Sequence, residues 1–456
     1  MNNVVPGRTV AVVACAAQFM VVLDTTIVNV ALPSMRADLD LGPAGQQWVI
    51  NAYLLMLAGL LLLGGRAADL FGRRRVFVIG LALFTAASLA GGLATGGPML
   101  IAARAVQGIG AALLAPAPLA LINSYYADIR AKGKAIAAWG ATATAAGSCG
   151  ILLGGILTDG LGWRWVMFVN VPIGVVLIVV ALRSLPAFPG KGRGLDVPGA
   201  ILVTAGLAAV SYGLSAMEDH AWNSPLTGGA VAAGVVLLAA FTWVESRSER
   251  PLMPLRIFRS PSLVLGNISA IAVGAVTTSV MFFVTLYLQR VLGYSPLRAG
   301  LAMLPLTVAI AVASLLVRRL VTAMGPRVPL AVGWLLTAAG LFWQSGFSPD
   351  GTFAADILGP GILIGLGLGM TVLPMTMAAT SGVPAQDAGL ASALMNTARQ
   401  MGGGVGLAVL GAVAASVAGT VTESYSAALL GAGALSVVAA GLAFRMPGPA
   451  PEPATA

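Results

Sequence analysis

Long apolar stretches, separated by short polar loops, recur along almost the whole chain of 456 residues. A helix needs about 20 apolar residues to cross the hydrocarbon core of a bilayer. Fourteen stretches approach or exceed that length. They lie near residues 10–33, 46–65, 76–95, 98–123, 135–158, 165–185, 197–216, 226–244, 262–289, 299–317, 328–346, 354–379, 389–416 and 425–444. The sequence therefore predicts an all-α membrane protein with fourteen transmembrane spans.

Composition and charge agree with this prediction. Only 9% of the residues are charged, whereas soluble domains carry about 25%. If the N-terminus is cytoplasmic, nineteen of the 25 Lys and Arg residues fall in cytoplasmic loops and four in the opposite loops. Cytoplasmic loops of membrane proteins are enriched in Lys and Arg. The net charge of +9 is therefore explained by membrane topology, with both termini cytoplasmic, and does not indicate nucleic-acid binding.

Two ionisable residues lie deep inside predicted spans. Asp24 interrupts the first apolar stretch, and Arg104 interrupts the fourth. A charge at the bilayer centre costs about 2.5–3.5 kcal/mol on insertion scales, so such residues usually mark ion or proton pathways. Asp24 is the only obvious deep acid available to Arg104.

Several segments carry a family resemblance. They are LDTTIVNVALP (Leu23–Pro33), GRAADLFGRRR (Gly65–Arg75), RAVQGIGAA (Arg104–Ala112) and the run that begins GSCGILLGG at Gly147. Together they resemble the fourteen-helix drug:proton antiporter branch of the major facilitator superfamily. The resemblance implies two six-helix bundles, at 1–186 and 261–446, with two inserted central helices and their linkers at 187–260. It places the first and fourth helices side by side in one bundle, which implies that Arg104 and Asp24 form a switchable couple for proton transfer. A permanent structural salt bridge is the alternative interpretation. The Pro- and Ala-rich tail at 447–456 is predicted to be disordered.

The resemblance also implies gating positions. In the family, the 65–75 loop closes the cytoplasmic side, and the glycines of the fifth span permit bending. Two positions depart from the family pattern, because Leu70 replaces the usual Arg and Ile151 the usual Pro. A plain positively charged loop and simple small-residue packing are the alternative interpretations. The predicted gating residues are Gly65, Asp69, Gly72, Arg73, Arg74, Gly150, Gly154 and Gly155.

Polar residues within the spans are candidates for a substrate cavity. They are Asn29, Gln107, Asn396, Arg399 and Gln400, although the last three are equally compatible with hydrogen bonds between helices. Spans 9, 10, 13 and 14 contain no acid at depth. Together with Arg104 and Arg399, this absence favours neutral, zwitterionic or weakly anionic substrates over dicationic ones.

The expected function is proton-driven export of drug-like small molecules by alternating access. The protein is expected in the bacterial cell membrane, in contact with lipid, and is expected to work as a monomer. No cofactor, metal or nucleic-acid partner is expected. We do not expect an enzyme, since the single histidine, His220, lies in a loop and no catalytic cluster accompanies it. An exporter of an endogenous metabolite or natural product, a proton-independent facilitator, and a non-transporting membrane protein remain as alternatives.

Overall fold

The computed structural model describes residues 7–118, 121–122, 129–185, 196–218, 224–248, 251–253, 255–380, 383 and 388–445. His220 and the 447–456 tail lie outside these residues. The described segments are helices joined by short turns. Fifteen α-helices are used below, namely α1 Gly7–Leu39, α2 Pro43–Phe71, α3 Arg73–Gly92, α4 Gly97–Leu114, α5 Ile129–Leu161, α6 Arg164–Phe168, α7 Asn170–Ser184, α8 Val197–Ser215, α9 Pro225–Arg247, α10 Pro261–Leu286, α11 Pro296–Met324, α12 Arg327–Gln344, α13 Gly359–Thr380, α14 Ala388–Ala415 and α15 Val421–Phe444.

Each of the fourteen predicted spans corresponds to one of these helices, with α6 and α7 together forming the sixth span. Within the described residues, 11 segments are long and apolar enough to cross a membrane. Helix α5 adds a shorter apolar segment at Ala145–Leu161. Helices α12 and α14 are less apolar, because α12 ends at Gln344 and α14 contains Arg399. The all-α membrane fold is confirmed.

Helix starts follow local capping chemistry. Side-chain oxygens of Asp196, Ser224 and Ser260 accept hydrogen bonds from backbone N–H groups three residues later, at the starts of α8, α9 and α10. Each of these helices also has a proline in its first turn, where the missing N–H costs nothing. At the start of α15, Thr420 and Glu423 form a reciprocal capping box. These caps separate the apolar stretches into distinct helices.

The chain divides into two compact units. Unit 1 comprises Met1–Ala216, Trp222–Leu252 and Gly293–Leu301. Its helices approach closely where glycines face backbone: a Cβ on Gly108 would collide with the Tyr53 carbonyl, and one on Gly110 would lie 2.6 Å from the Phe84 nitrogen. Small residues at such contacts let helices in membranes pack tightly. Helix α4 is therefore held against α2 and α3 by close approach of their backbones.

The two inserted helices belong to unit 1. Helix α8 packs on α2, where the rings of Trp48 and Tyr212 lie 6.1 Å apart and Thr204 fills the space beside Gly59. Helix α9 packs on α8, where a Cβ on Gly206 would lie 2.9 Å from Leu238. The predicted domain limits at residues 187 and 261 stay a prediction.

Unit 2 comprises Met217–Ala221, Met253–Leu292 and Ala302–Ala456. Helices α10 and α14 pack closely in it, and so do α12 and α13. Two π-helical segments, Tyr287–Val291 and Phe353–Leu358, interrupt the α-helical pattern. The Tyr287 ring stacks on Phe347 at 3.7 Å, and its hydroxyl donates a hydrogen bond to the Ser348 carbonyl at 2.8 Å. These contacts fix the chain where α10 ends.

Candidate functional site

Asp24 and Arg104 meet in the interior of unit 1. Asp24 lies near the middle of the 33-residue helix α1, and Arg104 lies on α4. Arg104 Nη1 is 2.6 Å from Asp24 Oδ2, and the two side chains are 2% and 0% exposed. The predicted pairing of the deep acid with the deep cation is therefore present in the structure. Whether the pair switches during a cycle stays a prediction.

The second carboxylate oxygen of Asp24 accepts hydrogen bonds from two amides. Gln107 Nε2 donates to Oδ1 at 2.7 Å, and Asn170 Nδ2 donates to the same atom at 2.9 Å. Ser88 Oγ on α3 accepts from both amides, at 2.7 Å and 3.3 Å. Four helices, α1, α3, α4 and α7, thus supply one polar network. Every contact made to the carboxylate comes from a donor, which suits its ionised form.

Arg104 has anchors besides Asp24. Its Nε donates to the Val49 carbonyl at 3.1 Å, and Nη1 also donates to Gln107 Oε1 at 2.6 Å. The guanidinium lies over the Tyr53 ring, 4.3 Å from its centroid, an attractive arrangement for a cation. Val49 and Tyr53 are one helical turn apart on α2. The position of Arg104 therefore depends only partly on the charge of Asp24.

The fifth-span glycines occupy crowded positions. A Cβ on Gly150 would collide with Thr26 Oγ1, and a Cβ on Gly154 would lie 3.0 Å from the Ile27 carbonyl oxygen. Helix α5 therefore contacts α1 directly beside the turn that carries Asp24. A Cβ on Gly155 would lie 2.6 Å from Leu297 Cα, which also belongs to unit 1. These contacts establish close small-residue packing, and the gating role stays a prediction.

The predicted 65–75 loop is largely helical in the structure, because α2 continues to Phe71 and α3 begins at Arg73. Gly72 has a φ of 95°, a left-handed conformation that favours glycine. Arg73 Nη2 lies 3.2 Å from Asp69 Oδ1, in a pair that is 30% and 59% exposed. Arg74 donates a hydrogen bond to the Leu182 carbonyl of α7, and the Cβ position of Gly65 lies 3.7 Å from Pro116. The loop is thereby tied to α7 within unit 1, and its gating role stays a prediction.

The predicted cavity residues fall into two groups. In unit 1, Asn29 is half-buried, and its Nδ2 donates to the Thr25 carbonyl at 2.7 Å while Oδ1 has no hydrogen-bond partner. Gln107 is fully buried, and both ends of its amide take part in the Asp24 network. Gln107, predicted as a cavity residue, is therefore hydrogen-bonded to the Asp24 carboxylate in the structure.

The other group lies on α14 in unit 2. Arg399 is exposed, and its Nη2 donates to Asn396 Oδ1 at 3.0 Å. Gln400 is half-buried beside it in the sequence. Among the described residues, no ion pair is seen for Arg399, whereas Arg104 is paired with Asp24.

The sequence argument missed several members of the network. Asn170 lies in the sixth predicted span, near residues 165–185, but its role was not predicted. An isolated amide in an apolar stretch is the signal that would have identified it. Ser88 gave no comparable signal, because single hydroxyl groups are common in membrane helices. Tyr53 gave none either, because it takes part through the face of its ring. The Val49 contribution is a backbone carbonyl, which sequence does not reveal.

A bundle of long apolar helices that encloses an ion pair and its hydrogen-bonding amides has the architecture of a membrane transport protein. The chain belongs to the Major Facilitator Superfamily, whose family model matches residues 14–407. It is therefore a member of a transporter family. A crystal structure of the peptide transporter POT shares the fold, with a TM-score of 0.70, 14% identity, and coverage of 95% of this chain and 93% of that one.

Several curated relatives are named as antibiotic export or drug resistance proteins. The cephamycin export protein CmcT of Amycolatopsis lactamdurans is 46% identical, over 89% of this chain and 84% of the relative. The puromycin resistance protein of Streptomyces alboniger is 42% identical, over 88% and 80%. The multidrug resistance protein Stp of Mycobacterium tuberculosis is 36% identical, over 87% and 74%. The chain thus resembles antibiotic export and resistance proteins over most of their length.

Proposed function

We propose that this protein exports antibiotics or similar natural products across the bacterial cell membrane in exchange for protons. The observation that carries the proposal is the fully buried carboxylate of Asp24, held by three donors at mid-helix. Ionisable residues are rare within membrane spans and mark ion or proton pathways. Similarity to the cephamycin and puromycin proteins supports antibiotic export.

Asp24 is the proposed proton carrier, and Arg104 is its partner. With the carboxylate ionised, the Arg104 charge is balanced and the network is complete. Uptake of a proton removes the negative charge, so the cluster carries a net positive charge in an apolar interior, which is unfavourable. This change of free energy biases the protein between its inward-open and outward-open states. A proton that falls through 100 mV supplies about 2.3 kcal/mol for each cycle.

The proposed substrate class is neutral, zwitterionic or weakly anionic. Its support in unit 2 is the exposed Arg399 guanidinium, bound to Asn396 but to no carboxylate among the described residues. In unit 1 the unpartnered Asn29 Oδ1 offers a hydrogen-bond acceptor. A preference for dicationic dyes in efflux assays would contradict this assignment.

Export of an endogenous natural product is the second candidate function, because the relatives include export proteins for cephamycin and for tetracenomycin C. Expression in an efflux-deficient bacterium distinguishes the candidates, using a panel that includes puromycin, a cephamycin, tetracenomycin C and cationic dyes. Resistance that disappears when a proton uncoupler is added supports antiport. Resistance that persists at full strength with the uncoupler supports a proton-independent mechanism.

The proposed topology places both termini in the cytoplasm, in a protein that works as a monomer. The excess of Lys and Arg in one set of loops supports this orientation. Labelling of single cysteines, in a background in which Cys15 and Cys149 are replaced, tests it. A cysteine placed in the 65–75 loop should react with an impermeant reagent only after the cells are opened.

A further inference from the structure

The side-chain amide of Asn170 is only half satisfied. Its Nδ2 donates to Asp24 Oδ1 at 2.9 Å and to Ser88 Oγ at 3.3 Å. Its Oδ1 is buried and has no hydrogen-bond partner. Asn170 itself is fully buried. A buried carbonyl oxygen without a donor is unfavourable, and such a group calls for a specific explanation.

Among the described residues, the side-chain acceptors beside Asp24 other than Asn170 Oδ1 already accept hydrogen bonds. A protonated carboxyl group has one O–H that must donate a hydrogen bond. Gln107 Oε1 already accepts from Arg104, and Ser88 Oγ already accepts from both amides. Asn170 Oδ1 is an unused acceptor on a side chain that already touches the carboxylate.

We propose that the Asn170 amide turns over when Asp24 takes up a proton. A proton from water bonds to Asp24 Oδ1, and rotation about the terminal side-chain bond of Asn170 brings its Oδ1 to the place that Nδ2 occupied. The new O–H then donates to Asn170 Oδ1. No other covalent bond forms or breaks. When the proton leaves, the amide turns back and donates again.

Rotation exchanges the two hydrogen bonds that Nδ2 donates, to Asp24 Oδ1 and Ser88 Oγ, for one that Oδ1 accepts from the new O–H. The ionised carboxylate therefore favours the orientation with Nδ2 towards it, and protonation of Asp24 favours the reverse orientation because the O–H needs an acceptor. Among the described residues, the charged or titratable side chains that face this cluster are Arg104 on α4 and Tyr53 on α2. Helices α5, α6 and α7 also pack against α1, and within the described residues they add no further ionisable group to the cluster. Asn170 is thus a positioning residue that follows the proton on Asp24.

Difference infrared spectroscopy between high and low pH, on the full chain in lipid nanodiscs, tests this rotation. The Asp24 carboxyl band is identified by its loss in Asp24→Asn, and the Asn170 carbonyl band by its loss in Asn170→Leu. We expect the Asn170 carbonyl band to move to lower frequency as Asp24 is protonated, because the carbonyl gains a hydrogen bond. Asn267→Leu is the matched control, since Asn267 is a buried amide that donates to its own helix at the Leu263 carbonyl.

The inference rests on the proposed function in one respect, namely that the proton bound by Asp24 drives export. Protonation of Asp24 with an unchanged Asn170 band would overturn the rotation, even if export proved to be proton-coupled. A coupled shift of both bands without proton-linked export would support the rotation and overturn the proposed function. If Asp24 does not titrate at any pH tested, both are wrong.

Transport provides a second test. We expect Asn170→Leu to slow proton-driven export by about tenfold or more, which corresponds to one lost hydrogen bond, and to change its pH profile. Asn170→Thr, whose hydroxyl both donates and accepts, should recover part of the rate. Wild-type rate and pH profile in Asn170→Leu would contradict the role assigned to the amide.

Discussion

Replacing Asp24 with asparagine removes the negative charge of the network and keeps its shape. Loss of one partner of a buried ion pair costs about 3–5 kcal/mol of folding free energy. Arg104 retains the Val49 carbonyl, Gln107 Oε1 and the Tyr53 ring, and a cation–ring contact is worth about 0.5–2 kcal/mol. We therefore expect Asp24→Asn to lose about 2–3 kcal/mol, at or below the lower end of the range for a broken pair, and to remain folded.

The assay compares stability and uphill export for the same variant. Purified Asp24→Asn should denature at a lower temperature than wild type, yet still enter the membrane and bind substrate. Inside-out vesicles with an imposed proton gradient should show no accumulation of substrate above its external concentration. Asp350→Asn, the same substitution at an exposed position outside the helices, is the matched control and should leave both properties unchanged. Unchanged uphill export by Asp24→Asn would refute the reasoning.

Three further predictions follow from the contacts in unit 1. The double variant Asp24→Asn/Arg104→Gln should lose less stability in thermal unfolding than the sum of its single variants. Each single variant leaves one buried charge without its partner, whereas the double variant leaves none. Strictly additive losses would contradict the coupling of the pair. Gly150→Ala should lower the free energy of unfolding by about 1–3 kcal/mol, because the added methyl group would overpack against Thr26. Gly147→Ala on the same helix should leave that free energy almost unchanged, because no atom lies within 4 Å of its Cβ position. Equal losses in the two variants would disprove close packing at Gly150. Asp69→Asn should change the free energy of unfolding by less than about 1 kcal/mol, since its ion pair is exposed, but it should slow export. An unchanged export rate would favour the alternative interpretation, in which the 65–75 segment is a plain positively charged loop without a gating role.

The sequence was sufficient for the class of fold and for the central contact. Fourteen apolar stretches predicted fourteen helical spans because the bilayer imposes both length and apolarity. The Asp24–Arg104 pair was predictable because deep charges must be compensated, Asp24 was the only obvious deep acid, and the family resemblance places the first and fourth helices side by side. Gly72 was predicted as a gating residue, and its positive φ lies at the break between α2 and α3.

The rest of the site depends on geometry that sequence does not encode locally. Asn170 reaches Asp24 across 146 positions of sequence, and Ser88 is 82 positions from Asn170. Gln107 was assigned to a substrate cavity because it is polar and intramembrane, but its orientation towards Asp24 is set by the packing of α4 against α2 and α3. A backbone carbonyl such as that of Val49 has no residue signature at all.

The most direct test of proton-coupled export through Asp24 is substrate-induced proton movement. Purified protein is reconstituted in liposomes that contain a pH-sensitive dye, and substrate is added on one side with no imposed proton gradient. We predict that substrate flow in one direction moves protons in the other in wild type, and that Asp24→Asn moves none. Transport of substrate by wild type without any change of internal pH would contradict the account.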